Sequence, residues 1–355
     1  MSRQNHEITE RHDLLDENGH LIEPGFTKGL FMNYDRSKIK ANRLRIKEWD
    51  YYLISTHDYA LALTIADNSY MGLDSISLLD FRIPWEHTSS PMQFMTLGRK
   101  KFPKDSLSGD VRSSGKHFAI EFKHYGDYKM LNFHMDNFCD GKRIEGSIRL
   151  DNLDRESMII STPYADDKLA FYYNQKLNCQ KASGTVKFGD KVYDFNRDDA
   201  YGVLDWGRGV WTRENVWYWG SASGNVGGKP FGWNLGYGFG DTTAASENML
   251  FYDGKAHKLS DVTFNIPNDN NKNCGKHRMN GVEFMKPWTF TSDDGRFEMN
   301  FTPVLDRKSC TDVKIICSDQ HQVFGYFDGT AVLDDGTKIE VKDFLGFAEK
   351  VYNKW

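Results

Sequence analysis

The sequence predicts an all-β protein of antiparallel strands, and three observations carry that expectation. Runs rich in Val, Ile, Phe, Tyr and Thr recur about every ten residues, Gly-Asp or Asp-Gly pairs close many of them, and amphipathic helical patterns are scarce. Alternating runs closed by such pairs read as strands joined by tight hairpins, because two-residue turns need the positive φ that Gly and Asp tolerate. The clearest strands are HFAIEF (117–122), SGTVKF (183–188), RFEMNF (296–301) and GTKIEV (336–341). The clearest turns are Gly189-Asp190, Asp253-Gly254, Asp294-Gly295 and Asp335-Gly336. Short strands at regular spacing build sandwiches or barrels.

A chain of 355 residues is longer than most single domains. An internal repeat suggests how it divides. SGTVKFGDKVYDFNRDDAYGVLDWGRGVW (183–211) parallels DGTAVLDDGTKIEVKDFLGFAEKVYNKW (328–355). Gly184-Thr185 answers to Gly329-Thr330, Val192 to Ile339, Gly202 to Gly346, Asp205 to Glu349 and Trp211 to Trp355. Two units spaced this way predict one domain over 1–212 and another over 213–355.

Composition excludes several classes of function. With 45 Lys+Arg against 50 Asp+Glu the net charge is −5, and no basic stripe marks a nucleic-acid binder. No window approaches the roughly 20 apolar residues of a membrane span. The first twenty residues are polar from the start and hold no apolar stretch to serve as a secretory signal, so a cytoplasmic location is expected. Five cysteines, an odd number at no metal-like spacing, suit reduced thiols.

Residues 201–240 stand apart, with 11 of the 31 glycines and five of the nine tryptophans: Trp206, Trp211, Trp217, Trp219 and Trp233. Glycine admits close approach to backbone, and indoles make broad apolar walls with one donor each. Asp205, between Leu204 and Trp206, is expected to be desolvated unless Arg208 or another cation compensates it. A structural Asp-Arg pair within a closing barrel is the plainer alternative. Downstream, GWNLGYGFGDTTAASENMLFYDGK (232–255) gathers Asn234, Asp241, Ser246, Glu247 and Asn248. Alternation puts Trp233, Leu235, Tyr237 and Phe239 on one face and Asn234 on the other. Glu247 and Asn248 precede the MLFY strand, as polar groups at a barrel mouth would, or as residues pinning their own turn.

Other signals are weaker. GYGFGD lacks dinucleotide spacing, GSASG (220–224) is no nucleophile elbow, and DNNKNCG (269–275) misses the glycine and acidic positions of a calcium loop. His117, His124 and His134 with Asp136 read as solvated strand residues, so no metal and no cofactor is expected. In KEWDYYLI (47–54), Trp49, Tyr51 and Leu53 share a face opposite Asp50 and Tyr52. Asp67 and Asp80, at strand ends, read as solvated rims.

NYDRSKIK, KEWDYYLI, DNSYMGL, YGVLDWGRGVW and the 232–255 segment fall in an order that resembles a bacterial family of unknown function, number 2804. The resemblance covers the chain from about residue 20. It implies kinship with a wider group that includes carotenoid 1,2-hydratases, Diels–Alder cyclases and lipid binders, and a fold of two tandem lipocalin-like antiparallel β-barrels. Hydratases of that group carry an Asp-His-x-Trp motif at the end of the first repeat. Here Asp205 matches the aspartate, Trp206 holds the histidine position and Arg208 the tryptophan position. A ligand pocket near 201–248 is therefore implied, while chemistry that needs the imidazole is not.

Three readings of function follow. In the first, a small lipophilic or unsaturated molecule binds in the Trp/Gly-rich pocket and undergoes hydratase-, isomerase- or cyclase-type acid/base chemistry. Asp205 is then the proton donor, Arg208 its partner, and Tyr201, Trp206, Trp217, Trp219, Trp233, Asn234, Tyr237 and Asn248 line the pocket. In the second, the barrel is a non-catalytic lipid or isoprenoid carrier. In the third, Asp205 with Asp241 or Glu247 forms the carboxylate pair of a carbohydrate-active enzyme. A small-molecule ligand is the expected partner in all three.

Overall fold

A computed structural model describes residues 4–151, 155–269, 279–312 and 316–355. Two large curled antiparallel sheets make a tandem barrel-like fold. Among the described residues there is no α-helix, and none long and apolar enough to cross a membrane. All four expected turns are turns. Asp253-Gly254, for example, has φ of +52° and +83° between strands Met249–Tyr252 and Lys255–Lys258.

The first sheet has fourteen strands. Its central path runs Met71–Asp80, Tyr59–Asp67, Ile46–Ser55, Tyr201–Val210, Asp167–Phe188 and Lys142–Asp151. Asp167–Phe188 spans 22 residues, far longer than its sequence suggested, because it serves two neighbourhoods. Its first half pairs with Tyr201–Val210, its second with Lys142–Asp151 and Lys191–Phe195. The register breaks between Leu177 and Gln180, where Cys179 takes φ +59°. Such a bulge lets one strand bend around a barrel. The second sheet has nine strands, all from Glu214 onward, with Glu214–Val226, Lys338–Lys354 and Cys317–Val332 side by side.

The repeat is visible in register. Asp205 lies between Lys176 and Tyr51, and Glu349 between Gln322 and Trp219. Gly184 and Gly329 share positive φ, +145° and +158°. In each, an added Cβ would stand 2.1 Å from a carbonyl oxygen of the next strand, Ser147 or Glu298. One pairing needs correction. Val186 faces Tyr193 where Ala331 faces Ile339, so Ile339 answers to Tyr193, and Val192 points to solvent. Gly184→Ala and Gly329→Ala are each expected to cost at least about 1–3 kcal/mol. Denaturant midpoints check this. An alanine accepted at either glycine would refute the close approach.

Alternation then divides the strands. Phe171, Tyr173 and Leu177, with Leu204 and Trp206, fill the first barrel. Trp233, Leu235 and Phe231, with Phe297, Phe301 and Phe327, fill the second. The opposite faces of the central strands turn toward each other and make a seam. Trp49, Tyr51 and Leu53 do share the seam-facing side. Phe239 departs from its expected companions, because the strand ends at Tyr237 and the chain turns Phe239 back into the seam. Asp67 and Asp80 are not solvated rims: both are buried, Asp67 accepting from Ser69 N–H and Asp80 from Arg82 in the turns that follow them.

Candidate functional site

The seam has two apolar ends and a polar middle. At one end Tyr172, Trp211, Phe239 and Met249 pack together, and at the other Tyr51, Trp219, Phe324 and Phe347. Trp49 and Trp217, both half-buried, touch both ends. Glycine makes room for this wall. A Cβ on Gly207 would come within 1.9 Å of the Trp49 ring on the neighbouring strand, so only glycine seats that indole flat on the sheet. Trp49 then stacks on Tyr172, with Trp211 set edgewise between Trp49 and Trp217.

The polar middle draws on both barrels. From the first, Lys176 Nζ lies 2.9 Å from Asp205 Oδ1, and Asn174 donates to the same oxygen at 2.6 Å. The Lys176 ammonium also sits 3.8 Å from the centre of the Trp219 ring. From the second barrel, Trp219 Nε1 donates to Asn234 Oδ1 at 2.7 Å, and Asn234 donates to the Glu247 carbonyl at 3.0 Å. Glu349 accepts from Trp217 Nε1 at 2.9 Å and from Gln322 Nε2 at 3.0 Å. Three buried carboxylates thus share one lysine. Asn174 Oδ1 and Arg307 Nη1 are buried here without a hydrogen-bond partner among the described residues, while the Tyr51 hydroxyl lies against the Gln322 amide. Unmet polar atoms of this kind mark a place where a polar group from outside can be received.

Burial dominates the electrostatics. It pushes the Glu349 carboxyl up from 4.5 to about 7, with Asp205 adding to the rise and the Trp217 bond, Lys176 and Arg307 opposing it. Glu247 is raised as well, again by burial first, with Lys176 opposing and Asp205 adding. A carboxyl near neutrality beside an aromatic wall can both give and take a proton at physiological pH.

The structure brings together Asp205, Glu247, Trp217, Trp219 and Asn234 from the sequence expectations. It separates the others. Arg208 and Trp206 point into the first barrel, and the cation on Asp205 is Lys176, not Arg208. Arg208 is fully buried, 3.1 Å from Asp50, and donates to the carbonyls of Trp49 and Gly207. Trp233 and Tyr237 belong to the second barrel's core. Asn248 is buried and ties two distant segments together, accepting from Gly236 N–H and donating to the Ser260 carbonyl. Asp241 bonds Thr243 within a turn. Tyr201 packs in the apolar seam under the Lys181 ammonium. Sequence reasoning missed Lys176, Asn174, Gln322 and Tyr51 as site residues, and met Glu349 only as the counterpart of Asp205 in the repeat.

Behind the seam sheet, the mouth of the first barrel opens into a bowl of about 980 Å³. Lys28, Leu30, Met32, Asp105, Gln175 and Leu177 line it. Gln175 and Leu177 alternate with Lys176, so the bowl and the Asp205 cluster lie on opposite faces of one strand. Of the histidines, His117 approaches Asp136, whose carboxylate Arg143 already engages, while burial and Lys129 hold His124 down to about 4. All of DNNKNCG except Asp269 lies outside the described residues.

A family model described as "Domain of unknown function (DUF2804)" matches residues 5–355. Among solved structures the chain is similar to CghA with Sch210972, at TM-score 0.54 and 11% identity over 96% of this chain and 97% of that one. It is also similar to kievitone hydratase from Nectria haematococca, at TM-score 0.54 and 11% identity over 91% and 92%. At such identity the likeness carries the fold alone. No curated protein matches the sequence.

Proposed function

The chain belongs to the DUF2804 family and shares its fold with a hydratase; from that premise we propose that the seam binds a small, largely apolar, unsaturated molecule and protonates it. The observation that carries this reading is Glu349, a buried carboxyl raised to about 7 and held by Trp217 and Gln322 beside an aromatic wall. Glu349 gives its proton to an unsaturated carbon. Trp49, Trp217 and Trp219 supply aromatic rings to the cation that forms, as Trp219 already does to the Lys176 ammonium. Asp205, anchored by Lys176 and Asn174, supplies a fixed negative charge. Water then adds to the cation while a neighbouring carboxylate takes up its proton, or an adjacent carbon loses a proton to that carboxylate. The first outcome is hydration and the second isomerisation. The donor is thus Glu349 rather than Asp205, whose carboxylate is tied to an ammonium.

Intrinsic tryptophan fluorescence tests the binding step, since Trp49, Trp211, Trp217 and Trp219 all lie in the seam. Saturable quenching is expected from isoprenoids and fatty acids, and none from oligosaccharides or glycals. With a quenching ligand in hand, Glu349→Gln and Asp205→Asn are expected to bind it and lose turnover by about a hundredfold or more. Unchanged turnover in both would sink the acid/base assignment.

The bowl of about 980 Å³ favours a second reading, a non-catalytic carrier. That reading has a ligand that co-purifies and leaves unchanged, retained by Trp217→Ala but held more weakly when Leu30→Trp narrows the bowl.

A further inference from the structure

The short edge strand Met92–Phe94 inverts the usual pattern. Its polar residue faces in: Gln93 Nε2 donates to buried Asp74 and to Ser113, both at 3.2 Å. Its apolar residues face out, Met92 at 59% and Phe94 at 74% exposure, and Met95 follows at 48%. Single exposed apolar side chains are ordinary, but three on one tip with a half-buried glutamine turned inward beneath them are not. The display is also rigid. Buried Asp67 accepts from Thr96 Oγ1 at 2.7 Å and Gly98 N–H at 2.9 Å, and buried Lys100 pairs with Asp74. Met95 and Leu97 are held at φ of +53° and +50°, with their N–H groups bonded to the Tyr70 and Ser69 carbonyls. The loop is braced from within, and its apolar tip is turned outward.

Charge selects the partner. From 87 to 104 the sequence has four Lys or Arg and no Asp or Glu, in a chain whose net charge is −5. Arg99 and Lys101 are exposed beside the apolar tip, and neither forms an ion pair among the described residues. Arg99 donates to the Phe94 carbonyl at 3.4 Å, which keeps its cation at the tip. An apolar tip flanked by exposed cations that no carboxylate neutralises matches a bilayer with anionic headgroups, where the side chains enter the acyl boundary and the cations stay at the phosphates. The tip also adjoins the seam. Tyr70, bonded to Met95, stacks on Trp355 at 5.6 Å, and Trp355 packs into the seam's aromatic end. We propose that Met92, Phe94 and Met95, flanked by Arg99 and Lys101, dock the protein on an anionic lipid surface with the aromatic end of the seam beside the membrane. The docking stands whatever chemistry the seam performs.

Flotation of the full chain with vesicles tests it. Binding is expected to vesicles one-third phosphatidylglycerol in phosphatidylcholine, and much less to phosphatidylcholine alone. Arg99→Gln with Lys101→Gln should weaken binding roughly thirtyfold. Met92→Ser with Phe94→Ser should weaken it at least roughly tenfold. All four side chains are exposed, so unfolding midpoints should stay at the wild-type value. No partition into anionic vesicles, partition indifferent to lipid charge, or a vesicle-free dimer that the serine variant dissolves would each overturn the proposal. The last result would assign the tip to a second copy of the chain.

Discussion

Lys176→Met is expected to destabilise the protein by about 3–5 kcal/mol, and adding Asp205→Asn is expected to restore about 2 kcal/mol or more. Lys176 is buried, 2.9 Å from Asp205 and against the Trp219 ring, in a seam that also holds Glu247 and Glu349. Without it, the buried Asp205 carboxyl loses its cation and is left with two other carboxyls close by. Asp205→Asn alone should cost less, because Glu247 and Glu349 still feel the ammonium. The loss should also grow with pH, since Lys176 opposes the burial-driven rise of both glutamates and its removal leaves them more costly to ionise. A denaturant double-mutant cycle at pH 5 and pH 8 reads all of this. Strict additivity at both pH values would show that the two side chains are not coupled.

Hairpin grammar was legible because Asp-Gly and Gly-Asp turns are local, and the repeat was legible because Gly184 and Gly329 meet the same steric demand. The seam was not. Every residue from Tyr201 to Val210 is buried, so no polar side announces which face meets the other barrel. Parity alone would have separated Asp205 from Arg208, since three positions along a strand reverse the face. Composition pulled the other way, because they are neighbouring opposite charges. Lys176 was hidden differently. Asn174, Gln175 and Lys176 put polar groups on both faces of one strand, and only the packing of two barrels reveals that Gln175 serves the bowl and Lys176 the seam. Glu349 could have been found, because the repeat set it opposite Asp205 and equivalent strands carry equivalent buried positions.

Glu349→Gln is expected to make the protein more stable above pH 7, by about 3 kcal/mol at most, while removing the proposed proton donor. The Glu349 carboxyl rises from 4.5 to about 7 in the folded state, and at about 1.36 kcal/mol per tenfold change in proton affinity this corresponds to about 3 kcal/mol. The sign follows from proton binding. Between pH 4.5 and 7 the folded state holds a proton there that the unfolded state has released, so stability falls as pH rises through that window. The variant has nothing to ionise and should lose this component of the slope. An amide also fits the site: its oxygen can accept from Trp217 Nε1, and its new donor can be received by Gln322 Oε1 once the Gln322 amide turns over. Turnover in the unmodified protein should fall as pH rises through about 7, with the protonated fraction of Glu349. Urea melts at several pH values measure the first effect, and a pH–rate profile on a ligand found by fluorescence measures the second. A buried carboxyl kept at the expense of stability is best explained by a use for its proton. Parallel stability profiles for wild type and variant would remove that explanation, because Glu349 would then be no more costly in the seam than in water.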